Sequence, residues 1–379
     1  MARDRRSLSR RSALRTIGAT TGVSVVSGLA TAAPGDVVVR NIGVANATGR
    51  STVKQAAEDV VREFDFDALT VRITEDDLQG VASDPNVRYT EQNGVFMSQS
   101  HDVSYGIYQT NAYYSITECY RAEDVDVAVV DTGIAPDHPD LESHLGDGTY
   151  SMQSLESPPG WADDSGHGTH CAGIIGAIDN RQGVLGAAPR ATMHAVKVLD
   201  DSGVGTASHV AAGIEDVVEK GWHVAVLPLA GKQNSSLLAD ACSYASNNNV
   251  FLAAAAGNTG NTGECPDCVA YPARFSECVA VSAVDGGGDF APFSARGPEI
   301  EFAGPGVDIV SLSPTGKEYR TGTSMAASYI GAAGAILIGE GYTPTQARQQ
   351  LQTTARDLGL PSDKQGYGMI DLKKALGIK

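Results

Sequence analysis

The chain has 379 residues, 42% of them hydrophobic and 19% charged, which is enough to bury a large core and too apolar for a disordered or fibrous protein. Lys and Arg number 28 against 45 Asp and Glu; the formal charge of −17 argues against a nucleic-acid partner, which would need a basic surface. Forty-three Gly and 6% aromatics describe a tightly turned α/β protein, and six Cys are too few to staple a fold of this size.

Residues 1–32 contain six Arg and one Asp, a charge of +5, and a charge-free stretch runs from Thr16 to Gly35. That is the plan of an export signal. The run Ser9-Arg10-Arg11-Ser12-Ala13-Leu14-Arg15 resembles a twin-arginine signal, with Ala13 where a bulkier apolar residue is usual, and Ala30-Thr31-Ala32 offers a cleavage site before Ala33. Gly, Ser and Thr dilute the apolar segment too heavily for a membrane anchor. Subtracting +5 from −17 leaves −22 on the remainder, an acidity that suits solubility in a salt-rich exterior.

Next come short β-like runs at 37–40 and 69–73 and helix-like ones at 53–64 and 75–82. Asp84-Pro85-Asn86 breaks the second helix and Val87-Arg88-Tyr89 reads as a closing strand, so that about sixty residues suit a small open α/β sandwich. The polar stretch 94–104 reads as a domain boundary. Beyond it, apolar β-branched runs at 125–130, 192–198, 223–229, 250–256 and 278–284 alternate with helical patterns at 166–176, 207–220 and 237–247. Strands apolar on both faces and spaced by helices predict a parallel sheet covered on both sides, with chemistry at the strands' carboxyl ends.

Val129-Val130-Asp131-Thr132-Gly133 puts a carboxylate at such an end. Alone it would read as a turn former. Gly166-His167-Gly168-Thr169-His170-Cys171-Ala172-Gly173 opens the next helix with two His among closely packing Gly. Thr321-Gly322-Thr323-Ser324-Met325-Ala326 begins a charge-free stretch to Gly339, which reads as a helix buried in a globular core with a hydroxyl against its positive end. Nucleophilic catalysis by a hydroxyl needs a base and a carboxylate to orient that base, and Asp131, His167 and Ser324 supply all three. Their order in the chain, Asp then His then Ser, is that of the subtilisins. Taken together the three motifs resemble the subtilisin-like serine protease family over about residues 105–375.

The resemblance implies a three-layer α/β fold with a mainly parallel central sheet, preceded by a small α/β propeptide domain. It implies a serine endopeptidase acting on polypeptides through an acyl-enzyme, made as a self-processing precursor: signal 1–32, inhibitory propeptide 33–96, catalytic domain 97–379. The chain ends soon after Gly366-Tyr367-Gly368, which looks like the end of the family's catalytic unit. Ala254-Ala255-Ala256-Gly257-Asn258 looks like the strand that carries the family's oxyanion donor, here Asn258, working with the N–H of Ser324. By the same resemblance an extended substrate would pair with Ser202-Gly203-Val204-Gly205 on one side and Pro228-Leu229-Ala230-Gly231 on the other. The second segment departs from the family's Ser-Leu-Gly: Pro228 has no N–H to donate and Ala230 adds a methyl. Ser328-Tyr329 also replaces the usual Pro-His after the nucleophile.

Asp140, Asn180 and the carbonyls of Ile178, Gln182 and Val184 resemble the family's structural calcium site, and such oxygens suit a hard cation; an ion-free turn is the alternative. Cys171 resembles the buried free thiol of the proteinase-K-like and thermitase-like branches. Cys265-Pro266-Asp267-Cys268 resembles a segment of halolysins, secreted proteases of salt-loving archaea. A disulfide there is favoured over zinc, which would need two more ligands. Cys119, Cys242 and Cys278 cannot be paired from sequence. A secreted monomer, inhibited by its own propeptide, is the expectation. Two rivals use the same residues: a noncatalytic binding protein on a protease scaffold, suggested by Pro228 and Ser328-Tyr329, and an esterase. Retention of Asp131, His167, Asn258 and Ser324 argues against the first, and the propeptide-like segment against the second.

Overall fold

The computed structural model of the chain describes residues 37–92, 101–151, 160–261 and 265–378. The stretch read as an export signal and most of the stretch expected to be cut during maturation lie outside them. The chain divides into two compact units, 1–97 and 98–379. Among the described residues no helix is long and apolar enough to cross a membrane.

The first unit runs β1 (Val37–Val44), α1 (Ala47–Ala56), β2 (Asp59–Phe64), β3 (Ala68–Thr74), α2 (Glu75–Ala82) and β4 (Val87–Gln92). Its strands form an antiparallel sheet in the order β2-β3-β1-β4, a split β-α-β pattern. Ile42, Val44, Leu69, Val71 and Ile73 from the sheet and Val53, Leu78 and Val81 from the helices make its core. The helix expected over 53–64 is corrected here. α1 begins earlier, where the Asn46 side chain accepts from the N–H groups of Thr48 and Gly49, and it ends when Ala57 turns extended. Residues 59–64 pair with β3 as an edge strand instead. A register shift between Val60 and Arg62 and a mostly exposed face hide the period-two pattern that would have marked them as a strand.

The second unit starts with two short helices, α3 (Tyr105–Gln109) and α4 (Ala112–Thr117). There follow β5 (Asp126–Asp131), β6 (Leu145–Tyr150), α5 (His167–Gly176), β7 (Thr192–Lys197), α6 (Ala207–Glu219), β8 (Val224–Leu227), α7 (Ser236–Asn247), β9 (Phe251–Ala255), β10 (Val279–Val284) and β11 (Ile300–Pro305). A hairpin, β12 (Ile309–Ser313) and β13 (Gly316–Arg320), precedes α8 (Thr323–Gly339), and α9 (Pro344–Thr354), α10 (Ser362–Gln365) and α11 (Leu372–Ala375) close the chain. The seven-stranded sheet has the order β11-β10-β9-β8-β5-β7-β6 and every pairing in it is parallel.

Alternate residues of the strands feed different cores, which is why the runs are apolar throughout. Val127, Val129, Val226, Ala253 and Val281 pack with α5 and α8 on one face. Ala128, Val130, Ala225, Leu252 and Ala280 pack with α6 and α7 on the other. The result is three layers, helices on both faces of a parallel sheet. α8 can lie this close to the sheet because it carries Gly where it crosses: a Cβ on Gly331 would strike Val226, and one on Gly334 would strike the Phe251 ring.

Candidate active site

Asp131 is the last residue of β5 and is wholly buried. His167 is the first residue of α5, and its Nδ1 lies 2.8 and 2.9 Å from the two Asp131 carboxylate oxygens. Gly168 lets the helix come so near, since a Cβ there would collide with the Gly133 carbonyl. Burial of the ring disfavours its cation, but the charge of Asp131 and its hydrogen bond outweigh that, and the His167 pKa is raised. His170, one turn further, has the opposite fate. Burial, with Arg320 adding to it, pushes it down to about 3, so the ring stays neutral while one nitrogen meets the Ile309 carbonyl at 3.1 Å.

Asp163, which the sequence reading did not single out, ties this corner together. α5 has Gly166 as its cap residue and no side-chain cap of its own. The Asp163 carboxylate instead accepts from the N–H groups of Ser165 and Gly166 at 3.0 and 2.8 Å, from Thr169 N–H at 2.8 Å and from the Thr169 hydroxyl at 2.5 Å. It also accepts from the Thr132 hydroxyl at 2.8 Å, while Gly168 N–H donates to that hydroxyl oxygen at 3.0 Å. Burial opposes its ionisation, yet these donors hold its pKa below the usual carboxylate value. An acidic residue four before the helix was the available signal. A second unheralded group is the buried Lys197, paired across the sheet with Asp131, whose ammonium donates to the Thr132 carbonyl at 2.5 Å.

Ser324 is the second residue of α8, in the turn whose N–H groups have no partner within the helix. Its hydroxyl donates to the Pro228 carbonyl at 2.8 Å. Asn258 follows β9 through Gly257, whose φ of 108° suits glycine. The Asn258 Oδ1 accepts from both Thr323 N–H, at 2.9 Å, and the Thr323 hydroxyl, at 3.0 Å, so the amide nitrogen is its free donor end. Ser328 turns its hydroxyl onto the Ser324 carbonyl at 2.9 Å, and the Tyr329 hydroxyl donates to Ser104 at 2.9 Å; both are buried beneath the site.

Two cavities meet at Pro228–Lys232. One, of about 550 Å³, is lined by Ser324, Asn258, Ala270 and the Cys265–Cys268 disulfide. The other, of about 930 Å³, is lined by His167, Arg320 and the loop holding Gly203, Val204 and Gly205. That loop is bound to itself: Asp200 Oδ1 accepts from Ser202 and Val204 N–H groups at 3.0 and 2.9 Å. Pro228, Leu229 and Ala230 run beyond β8 outside any strand, and Gly231 bridges to Tyr271.

Asp140 is buried, with Oδ1 accepting from the Asn180 amide at 2.8 Å and Oδ2 from Val184 N–H at 3.0 Å. Asn180 Oδ1 accepts from Gln182 N–H at 2.7 Å. The loop follows the end of α5 at Gly176, and the helix does not resume after it. Among the described residues no group of three His, Cys, Asp or Glu side chains is gathered to hold a metal. In the predicted set the one carboxylate, Asp140, thus meets N–H groups of Asn180 and Val184 on both oxygens.

The profile described as Subtilase family matches residues 122–369. The chain is 40% identical over 323 residues to a thermostable alkaline protease of Halalkalibacterium halodurans, covering 84% of this chain and 85% of that protein. It is 34% identical over 336 residues to subtilisin E of Bacillus subtilis, covering 88% and 87%, and 34% identical over 322 residues to an alkaline protease of Shouchella clausii, covering 84% and 81%.

Proposed function

The chain belongs to the subtilase family and is a serine endopeptidase acting on polypeptides, and from that premise we propose that Ser324 is its nucleophile, His167 the general base and Asp131 the residue that orients and charges that base. The observation that carries the assignment is the buried Asp131 carboxylate held 2.8 Å from Nδ1 of a His167 whose ring lines the substrate-sized cleft. With Nδ1 so engaged, Nε2 is left to take a proton. In this reading the Ser324 hydroxyl leaves the Pro228 carbonyl for that nitrogen when substrate is in place. The hydroxyl oxygen then attacks the substrate carbonyl while its proton passes to His167. Asn258 Nδ2 and Ser324 N–H receive the oxyanion, and His167 returns the proton to the leaving amine. Water, activated by the same imidazole, releases the acyl group from Ser324.

The substrate main chain lies between Gly203-Val204-Gly205 and Pro228-Leu229-Ala230 in this reading, with Pro228 lacking the donor that another residue would supply. Calcium is proposed at Asp140, Asn180 and the carbonyls of Ile178, Gln182 and Val184. Carboxylate, amide and carbonyl oxygens are the donors a hard cation takes, and to offer its own Asn180 would have to turn its amide oxygen from Gln182 N–H toward Asp140. The ion would screen the buried carboxylate and fix the loop. We further propose export under the signal 1–32, an inhibitory propeptide at 33–96, a monomeric mature enzyme from 97, and tolerance of salt from its acidity.

The test is to incubate matured protein with casein and with a serine-directed fluorophosphonate and to locate the label. Label on Ser324 with loss of caseinolysis is expected, and label on another serine overturns the assignment. In the same assay Asn258→Ala should turn over casein about 10²–10³ times more slowly with little change in KM, because the donor acts chiefly once negative charge develops.

A further inference from the structure

Two sulfurs that the chemistry above does not use lie side by side under the wall of the active site. Cys242 sits in the second half of α7 and Cys278 immediately precedes β10. Both are buried free thiols, and Cys278 Sγ lies 3.8 Å from Cys242 Sγ. They belong to the core formed with Leu238, Ala245, Leu252 and Phe275. Among the described residues no metal-holding group of His, Cys, Asp or Glu forms around them. The main chain at Cys278 is fixed on both sides: its N–H donates to the Phe275 carbonyl at 3.0 Å and its carbonyl accepts from Arg348 at 3.3 Å.

We propose that Cys242 and Cys278 close to a second structural disulfide when the chain folds under oxidising conditions. A disulfide bond is about 2.05 Å long, so the sulfurs, 3.8 Å apart, must approach by less than about 2 Å. The oxidant is a small-molecule disulfide. The thiolate of one cysteine attacks it and releases one small thiol; the thiolate of the other then attacks the mixed disulfide and releases the second. The cysteines lose two electrons and two protons, and the small disulfide gains both as two thiols. The contact with Cys242 and burial push the Cys278 thiol well above its usual value, so thiolate is scarce once the core has sealed and the bond closes during folding.

The cross-link joins residues 36 apart. The loop it closes contains β9, Gly257, Asn258 and the Cys265–Cys268 bridge, the wall of the 550 Å³ cavity. Its ends would be held to α7 and β10, which disfavours every opened form of that wall. Only the source of the oxidant rests on the proposed export, and the test supplies the oxidant directly.

The full chain is folded with an oxidised small thiol, stopped with the fluorophosphonate, denatured and alkylated with N-ethylmaleimide in the absence of reductant. Residues 1–97 contain no Cys, so maturation does not alter the count. Alkylation confined to Cys119 and Cys171, with a cross-linked peptide joining Cys242 to Cys278, is expected. Alkylated Cys242 and Cys278 overturn the proposal. Reductant should also lower the unfolding temperature of the wild type more than that of Cys242→Ala/Cys278→Ala. Equal falls would assign the loss to Cys265–Cys268 alone and overturn the stabilising role.

Discussion

Opposed influences set the proton affinity of His167. Burial lowers it, Asp131 raises it by charge and by hydrogen bond, Arg320 lowers it and Asp163 raises it, with a raised pKa as the outcome. Arg320 stands at the end of β13, donates to Glu318 at 2.7 Å and to the Ser165 carbonyl at 3.3 Å, and lines the cleft with His167. Since the base must be neutral to accept the proton of Ser324, the acid limb of kcat/KM follows His167 in the free enzyme. Arg320→Gln removes a positive charge that opposes the imidazolium and frees Glu318, and both changes favour the cation. The acid limb of its pH profile should therefore move to higher pH, less so in high salt; a limb that stays or moves down would show that Arg320 does not act on His167. The neighbouring His170 also feels Arg320, but burial is the larger influence and holds it neutral. Two histidines three residues apart are split into a titrating and a packing role by environment alone.

At the scale of elements, α5 and the loop after it carry most of the site's order. Gly166 at the helix start has φ of 85° and gives no cap, and Asp163 caps the first turn from outside while aligning Thr132 beside Asp131. After Gly176 the chain wraps Asp140 so tightly that Gly183, at φ 48°, has the carboxylate where a side chain would begin. A cation bound there would stabilise the folded state by mass action, because the unfolded loop does not assemble the oxygens. Excess calcium should accordingly raise the midpoint of thermal unfolding, and Asp140→Ala should blunt that rise. The same calcium response in wild type and variant would locate the ion elsewhere.

At the scale of the whole molecule, the maturation proposed above is what can be tested. The first unit has a sheet and core of its own, and the second holds every residue assigned to catalysis. Residues 33–96 carry 11 acidic and 6 basic side chains, a charge of −5, which leaves −17 on residues 97–379. Fragments of like sign gain nothing from net charge, so inhibition by the first should depend on strand pairing and apolar contact and persist in high salt. Expressed from Ala33, the wild type should begin between Asn93 and His101 after maturation and Ser324→Ala should remain uncut. A variant processed at the same place, with other proteases excluded, would remove Ser324 from that step.

The sequence by itself determined the parallel sheet, because β-branched runs apolar on both faces have no stable place but between two layers of helices. It also marked Asp131, His167 and Ser324, since each sits in a short motif at the end of a strand or the start of a helix, and Asn258 through the family resemblance those motifs carry. The strand at 59–64 escaped it, an exposed edge with a shifted register having no periodic signature. Asp163, Lys197 and Arg320 escaped it as well: each works through groups that the chain brings to it only on folding, such as Thr132 for the first two. The cysteines draw the same line. A spacing of three residues made Cys265 and Cys268 a pair in advance, whereas Cys242 and Cys278 meet only because α7 packs on the sheet that holds β10. Local geometry is written in neighbouring residues, and a contact across 36 residues exists only after the core between them has formed.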